Sequence, residues 1–282
     1  MIRTTLSLLT ILACATVAFV QGQTRKLSPD ELRKGATLYP NQGLPAEDPM
    51  PQVKKYEGLR TTDVLDAMQA VGLQDRGIMD KTIRPLWRDY SDKVAHRFYG
   101  IAITYQYVPT NKPAAYKVPY ADFKKWHSHW YGTYAPEAFS PIIRPGHAVV
   151  IDAQGIENTG FVGSNNTLNW FSRGMTGVVT NGNARDTDEL ILERIPVYSK
   201  YQGGGTRPGR IEAGAINVPV VVGGALVRPG DMIVADGDGV VVVPREQIDE
   251  VAKIAWDIAK GDKAGRKKLY EKTKLPADAT IK

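Results

Sequence analysis

Residues 174–188 read GMTGVVTNGNARDTD, and the interpretation of the whole chain turns on them. The β-branched run 178–180 predicts a buried strand. Asn181-Gly182 predicts a break in it, and the adjacent Arg185-Asp186 pair then stands at the mouth of a short helix around 187–190. An Arg beside an Asp just past a strand end suits a site that takes an anionic substrate and a divalent cation together. The guanidinium is a rigid fork of donors matched to a carboxylate. The carboxylate is a hard oxygen ligand for Mg²⁺. The same residues also suit an ordinary surface turn, so the flanking sequence has to decide.

Upstream of this stretch, 160–166 reads as a Gly/Asn/Ser loop, and 167–173 predicts a helix stopped by Gly174 as its C-cap. Pro145-Gly146 turns into a strand over 148–152. Downstream, 195–198 predicts another strand, and 201–214 is a Gly-rich loop containing GGGTRPGR. Runs at 216–222, 225–227, 232–235 and 240–243 alternate with Gly turns, which predicts hairpins in one sheet. Pro244 ends the sheet, and 246–260 predicts a closing amphipathic helix with Ile248, Val251, Ala252, Ala255 and Ile258 inward. Nearer the N-terminus, 61–71 predicts a helix capped by Thr61 or Thr62, and 101–108 a strand. Residues 109–140 are an excursion crowded with Tyr, Trp, His and Phe, with a helix over 121–130. The excursion is expected at the rim of the site or at a subunit contact, outside the catalytic core.

The chain has 282 residues and a formal charge of +6. The excess is spread out, densest around 260–274, which points to a solvated helix face and away from nucleic-acid binding. Residues 1–22 read as a signal peptide: Arg3, then an apolar run over 6–20, then Val20-Gln21-Gly22 before polar sequence. An uncleaved anchor helix, or a lipid-bearing Cys14, is the alternative. Cys14 is the single cysteine, so a chain processed at Gly22 has no thiol for disulfides or catalysis. Export to the periplasm or medium is expected, with no stable membrane span in the mature chain. The remaining divisions are a polar Pro-rich segment over 23–56, one domain over 57–262 and a basic tail over 263–282.

Two motifs in order, GVVTNGNARD and VRPGDMIVADGDGVVVVP, together with TTDVLDAMQAVGL at 61–73, resemble the RraA-like family. The resemblance covers about 59–250, less the aromatic excursion. The family includes metal-dependent class II aldolases acting on 4-hydroxy-4-methyl-2-oxoglutarate, oxaloacetate decarboxylases and the regulator of ribonuclease E activity. Many members carry a mistaken demethylmenaquinone methyltransferase label. The resemblance implies an α/β fold, a single β/β/α swivelling-type domain, assembled as trimers or hexamers with active sites between subunits. It implies Asp186 as the one direct protein ligand of Mg²⁺ or Mn²⁺. Arg185 would contact the keto or carboxylate oxygen of a pyruvyl group, and Gly163, Ser164, Asn165 and Asn166 would bind the substrate carboxylate through backbone N–H groups. Ser164 stands where the family usually has Glu. The expected function is a lyase that cleaves a carbon–carbon bond of a 2-oxo acid and releases pyruvate. A non-catalytic binding protein, or a same-fold enzyme with another substrate, is the alternative. The chemistry fits the parts: cleavage beta to a ketone leaves an enolate, which a cation and a nearby Arg stabilise.

Other residues have plainer readings. His127 and His129 would share a face on a strand, as paired ligands do, but diverge on a helix. His96 and His147 read as structural. Asp236-Gly237-Asp238-Gly239 lacks the remaining ligands of a calcium loop and reads as a hairpin turn. Arg207 and Arg210 are candidate carboxylate contacts, and Glu212 is a weaker candidate acid or base.

Overall fold

Four parallel strands with apolar residues on both faces form the centre of the molecule. The computed structural model describes residues 47–281. In chain order, helices α1 (Met50–Lys54) and α2 (Thr61–Ala70) precede strands β1 (Arg84–Pro85) and β2 (Phe98–Pro109) and helix α3 (Tyr120–Thr133). Strands β3 (His147–Asp152) and β4 (Gly160–Val162), helix α4 (Ser164–Ser172), strand β5 (Gly177–Ala184) and helix α5 (Thr187–Leu192) follow. Strands β6 (Val197–Gln202), β7 (Ile211–Ile216), β8 (Val220–Val222), β9 (Ala225–Val227), β10 (Met232–Asp236) and β11 (Gly239–Val243) lead to helix α6 (Ile248–Thr273).

The main sheet has the order β1-β6-β5-β3-β2-β10-β11, with β4 added on β5 and β7 on β2. Strands β2, β3, β5 and β6 are parallel neighbours, and every residue of β3 is buried, as parallel strands covered on both faces require. The pairs at the edges are antiparallel. Arg84 Nη1 donates to the Asp238 carbonyl across 2.7 Å, so the two edges approach and the sheet is nearly closed. One face packs against α3, α4 and α5 through Ile103, Tyr105, Trp130, Phe161, Trp170 and Leu190. A second cluster joins the strands to β8 and β9 through Val150, Val179, Tyr198 and Val222. A third seats α1, α2 and α6 through Val53, Val64, Met68, Val234 and Val251.

Several expectations change. Asn181-Gly182 does not break the strand: β5 runs on to Ala184 with an irregular register between Thr180 and Asn183. The Asn181 side chain replaces a ladder bond, accepting from Ala153 N at 2.7 Å and donating to Asp152 Oδ1 at 3.1 Å. Gly182 is required because a Cβ there would strike Phe161 and Ala153. The α2 N-cap is Arg60, one residue earlier than expected. Thr61 instead donates its N–H and hydroxyl to Asp236 at 2.9 and 2.7 Å. Asp236 Oδ1 also accepts from Asp238 N at 2.9 Å, so the Asp-Gly-Asp-Gly run is the expected hairpin turn and its first carboxylate is a helix cap. Strands β8 and β9 form a separate two-stranded ribbon. The closing helix runs on to Thr273, through the start of the expected tail.

The signal peptide and most of the 23–56 segment lie outside the described residues. Its last residues include Val53 and Tyr56, which are core residues. Among the described residues, no helix is long and apolar enough to cross a membrane.

Candidate functional site

Parallel strands deliver their carboxyl ends to one rim, the usual place for ligands in such sheets. Here β5 ends at Ala184, and Arg185-Asp186 follow it. Strand β4 lies beside that end, and Arg185 N donates to Val162 O at 2.8 Å. Gly160, the first residue of β4, and Gly163, just after the strand, make the room. A Cβ at Gly160 would overlap the aliphatic stem of Arg185, and one at Gly163 would lie 2.9 Å from Asp186 Oδ2.

Asp186 has φ +56°, a left-handed conformation that Asp tolerates better than most residues. The twist makes it the N-cap residue of α5 by position, yet its carboxylate makes no cap to that helix. It turns to the start of α4 instead. Oδ2 accepts from Ser164 N at 3.3 Å, and Oδ1 accepts from Arg185 Nε at 3.2 Å. The two side chains are 33% and 36% exposed, so each carboxylate oxygen keeps a lone pair open to a ligand. The expected loop 163–166 is mostly helix. Gly163 is the N-cap of α4, and Ser164, Asn165 and Asn166 are its first turn, whose N–H groups have no partner in the helical ladder. Arg185, Asp186, Gly163 and the first turn of α4 therefore meet at one place.

The carboxylate next to the site belongs to the excursion. Glu137 Oε1 accepts from Asn166 Nδ2 at 2.6 Å, Oε2 accepts from Trp170 Nε1 at 2.9 Å, and Arg207 Nη1 pairs with Oε1 at 2.7 Å. Arg207 is 1% exposed, lies over the rings of Tyr107 and Tyr131 and donates to Phe161 O at 2.6 Å. It holds the wall of the site and is too buried for the substrate contact expected of it. Arg210 donates to Thr206 O, and Glu212 accepts from Thr110 and pairs with Lys112, which removes it as a free acid or base. Neither Glu137 nor the pairing of Arg207 was visible in the sequence, because the partners lie 29 and more residues apart.

Helix α3 is only partly a rim feature. Trp130 is 1% exposed, Phe139 is fully buried, and both belong to the core. Trp130 Nε1 also donates to Ile211 O at 2.9 Å. His127 and His129 diverge on this helix. Burial first, then the charge of Arg185, push His127 below its usual value. Among the described residues, no group of three or more His, Cys, Asp or Glu gathers as a metal cage. A lone half-exposed carboxylate does suit Mg²⁺ or Mn²⁺, which keep several waters and take one or two protein carboxylates. Gly163 has no Cβ to crowd Asp186 Oδ2.

A cavity of about 370 Å³ lies elsewhere, lined by Glu47, Asp48, His147, Gly230 and Arg245 among others. It is at the amino end of β3, contains none of the predicted site residues, and is not the candidate site. There His147 is structural, as expected. Its Nδ1 accepts from Arg144 N at 3.0 Å, and burial, with Arg144 nearby, lowers its pKa to about 4. His96 likewise accepts from Asp89 N at 3.0 Å.

A nearly closed mixed sheet with an Arg-Asp pair at its carboxyl rim makes this an α/β protein, and the family model it matches is Aldolase/RraA. Residues 61–242 match the model of that family, and the chain belongs to the RraA-like family. A protein of Deinococcus radiodurans, provisionally named 4-hydroxy-4-methyl-2-oxoglutarate aldolase, is 28% identical over 181 residues, 64% of this chain and 98% of that protein. One of the same provisional name from Halalkalibacterium halodurans is 33% identical over 135 residues, 45% of this chain; the chain spans only 60% of that relative's length. The crystal structure of Streptomyces coelicolor RraAS2, an unusual member of the RNase ES inhibitor RraA protein family, superposes with a TM-score of 0.62 at 24% identity. That match covers 79% of this chain and 99% of that one, and it concerns the fold alone.

Proposed function

We propose that this protein is a metal-dependent lyase that cleaves a carbon–carbon bond of a 2-oxo acid and releases pyruvate. The observation that carries the reading is the meeting of Arg185, Asp186 and the first turn of α4 at one rim, with the Asp186 carboxylate half open. Asp186 would hold the cation. Bound there, Mg²⁺ or Mn²⁺ supplies positive charge that polarises the 2-oxo group. Arg185, its stem fixed against Gly160, offers a planar pair of donors to the oxygen that gains charge as the bond breaks. The N–H groups of Asn165 and Asn166 receive the substrate carboxylate, and Glu137 fixes Asn166 from behind. In an aldol cleavage the 4-hydroxyl gives its proton to solvent, C4 becomes a carbonyl as the C3–C4 electron pair moves into the enolate of pyruvate, and C3 takes a proton back from solvent. The names of the Deinococcus and Halalkalibacterium relatives support this class of reaction.

A binding protein on the same fold is the second reading. It is favoured by Ser164, where the resemblance expects Glu, because no carboxylate from the first turn of α4 reaches the site. Pyruvate release from oxaloacetate and from 4-hydroxy-2-oxo acids, with and without Mg²⁺ or Mn²⁺, separates the two. Turnover that needs the cation supports the lyase. Binding of these acids without turnover supports the rival. We also propose a homo-oligomer and export of a chain beginning near Gln23; mass measurement in solution and N-terminal sequencing test these.

A further inference from the structure

Helix α3 carries rings at a spacing of four residues, Phe123, His127 and Tyr131, a spacing that stacks side chains on one helical face. The ring centroids are 5.6 Å apart from Phe123 to His127 and 5.1 Å from His127 to Tyr131, so the three form a continuous ridge. Its inner end is anchored. Tyr131 lies 5.6 Å over the Arg207 guanidinium, and Arg207 donates to the carbonyl of Phe161, next to the Gly160 that makes room for Arg185. The charge of Arg185 adds to burial in lowering the pKa of His127, the middle ring. Phe123, at the outer end, is 37% exposed. The ridge thus leads from the Arg185-Asp186 rim outward to solvent.

Most charges around the ridge are already engaged, and Lys124 lies 5.0 Å over the Tyr120 ring. Arg207 pairs with Glu137, Lys112 with Glu212 and Lys125 with Asp122. A 2-oxo acid whose head group sits at Arg185 would lay its distal end along rings, beside cations already placed against a carboxylate or a ring. A flat apolar group is favoured there by ring-on-ring packing, whereas a carboxylate would lose water without gaining a partner.

We propose that the Phe123–His127–Tyr131 ridge is the specificity wall of the site and selects 2-oxo acids with an aromatic distal end over those ending in a second carboxylate. The proposal rests on the lyase reading for the position of the head group, but its test does not need turnover. Calorimetric titration of the full chain in Mg²⁺ with phenylpyruvate and with 2-oxoglutarate, two acids that carry no 4-hydroxyl to cleave, measures the selection directly. The expected result is at least about tenfold tighter binding of phenylpyruvate, the worth of one good ring contact. Phe123→Ala and His127→Ala should each cut that preference to below about threefold, as loss of a stacking partner implies. Phe123 lies at the exposed end, so its truncation leaves the core in place, and an unchanged melting midpoint checks this. Equal or tighter binding of 2-oxoglutarate, no binding of either acid, or a preference that survives both truncations would overturn the proposal. So would loss of preference only together with a change in oligomer mass, which would make the ridge a subunit contact. The predicted preference without pyruvate release from any 4-hydroxy-2-oxo acid would uphold the wall and sink the lyase reading instead.

Discussion

Asp236 and Asp186 both stand at the carboxyl ends of strands, and they have opposite fates. Asp236 closes β10 and is 4% exposed. Its oxygens accept from Thr61 N, Thr61 Oγ1 and Asp238 N, so it is filled by the scaffold and welds the β10–β11 turn to α2. Asp186 follows β5, is 36% exposed and accepts from only Ser164 N and Arg185 Nε. The lesson is that a carboxylate's role follows from how much of its acceptor capacity the fold has used. A saturated buried group is structural. A half-open one beside an Arg and a helix start can take a ligand.

The contrast can be broken in four ways, in falling order of expected effect. Asp186→Ala should lower cation-dependent turnover by about a thousandfold, since no other carboxylate shares its place, and leave the unfolding free energy within about 1 kcal/mol, as for other half-exposed sites. Kinetics beside urea melts read both, and a collapse in stability would put Asp186 in the same class as Asp236. Asp236→Ala should do the converse, costing about 3 kcal/mol of stability by stranding the buried donors of Thr61. The folded fraction should keep its turnover.

Arg185→Lys should cost about a hundredfold in turnover although the charge is kept, because an ammonium lacks the planar fork. Near-wild-type rates would reduce Arg185 to an ion-pair partner of Asp186. The fourth test concerns the other end of the parallel strands, where His147 is neutral and buried. Its folded pKa lies below the unfolded value, so the unfolded chain binds more protons as pH falls, and stability drops between 6.5 and about 4. Between pH 6.5 and 5 the loss should be about 2 kcal/mol, and His147→Asn, which can still accept from Arg144 N, should flatten that slope. An equal slope in the variant would assign the acid sensitivity elsewhere.

Much of this was legible in the sequence for physical reasons that operate locally. The β-branched runs, the Gly turns of the hairpins and the apolar faces of α2 and α6 are short-range signals, and the elements stand close to where those signals fall. The Arg185-Asp186 pair stood out because adjacent residues carry its chemistry, whereas 163–166 was expected as a loop, took its role from the family resemblance, and forms the N-cap and first turn of α4. The misses share one cause, which is a distant partner. Asn181-Gly182 looks like a turn in isolation, yet contacts with Ala153 and Phe161 keep it in the strand. Thr61 looks like its own helix cap, but its bonds go to a residue 175 positions away. Arg207 looked free, and Glu137 carried no signal at all, because each is defined by the other. The aromatic excursion read as a rim, whereas Trp130 and Phe139 close the core above the site.

The comparison of the two aspartates is tested most directly by Mn²⁺ titration followed calorimetrically on three full-length proteins: wild type, Asp186→Ala and Asp236→Ala. The account predicts saturable binding to wild type, the same affinity in the folded Asp236→Ala protein, and no binding to Asp186→Ala. Mn²⁺ binding that survives in Asp186→Ala, or that disappears only with Asp236→Ala, would contradict it.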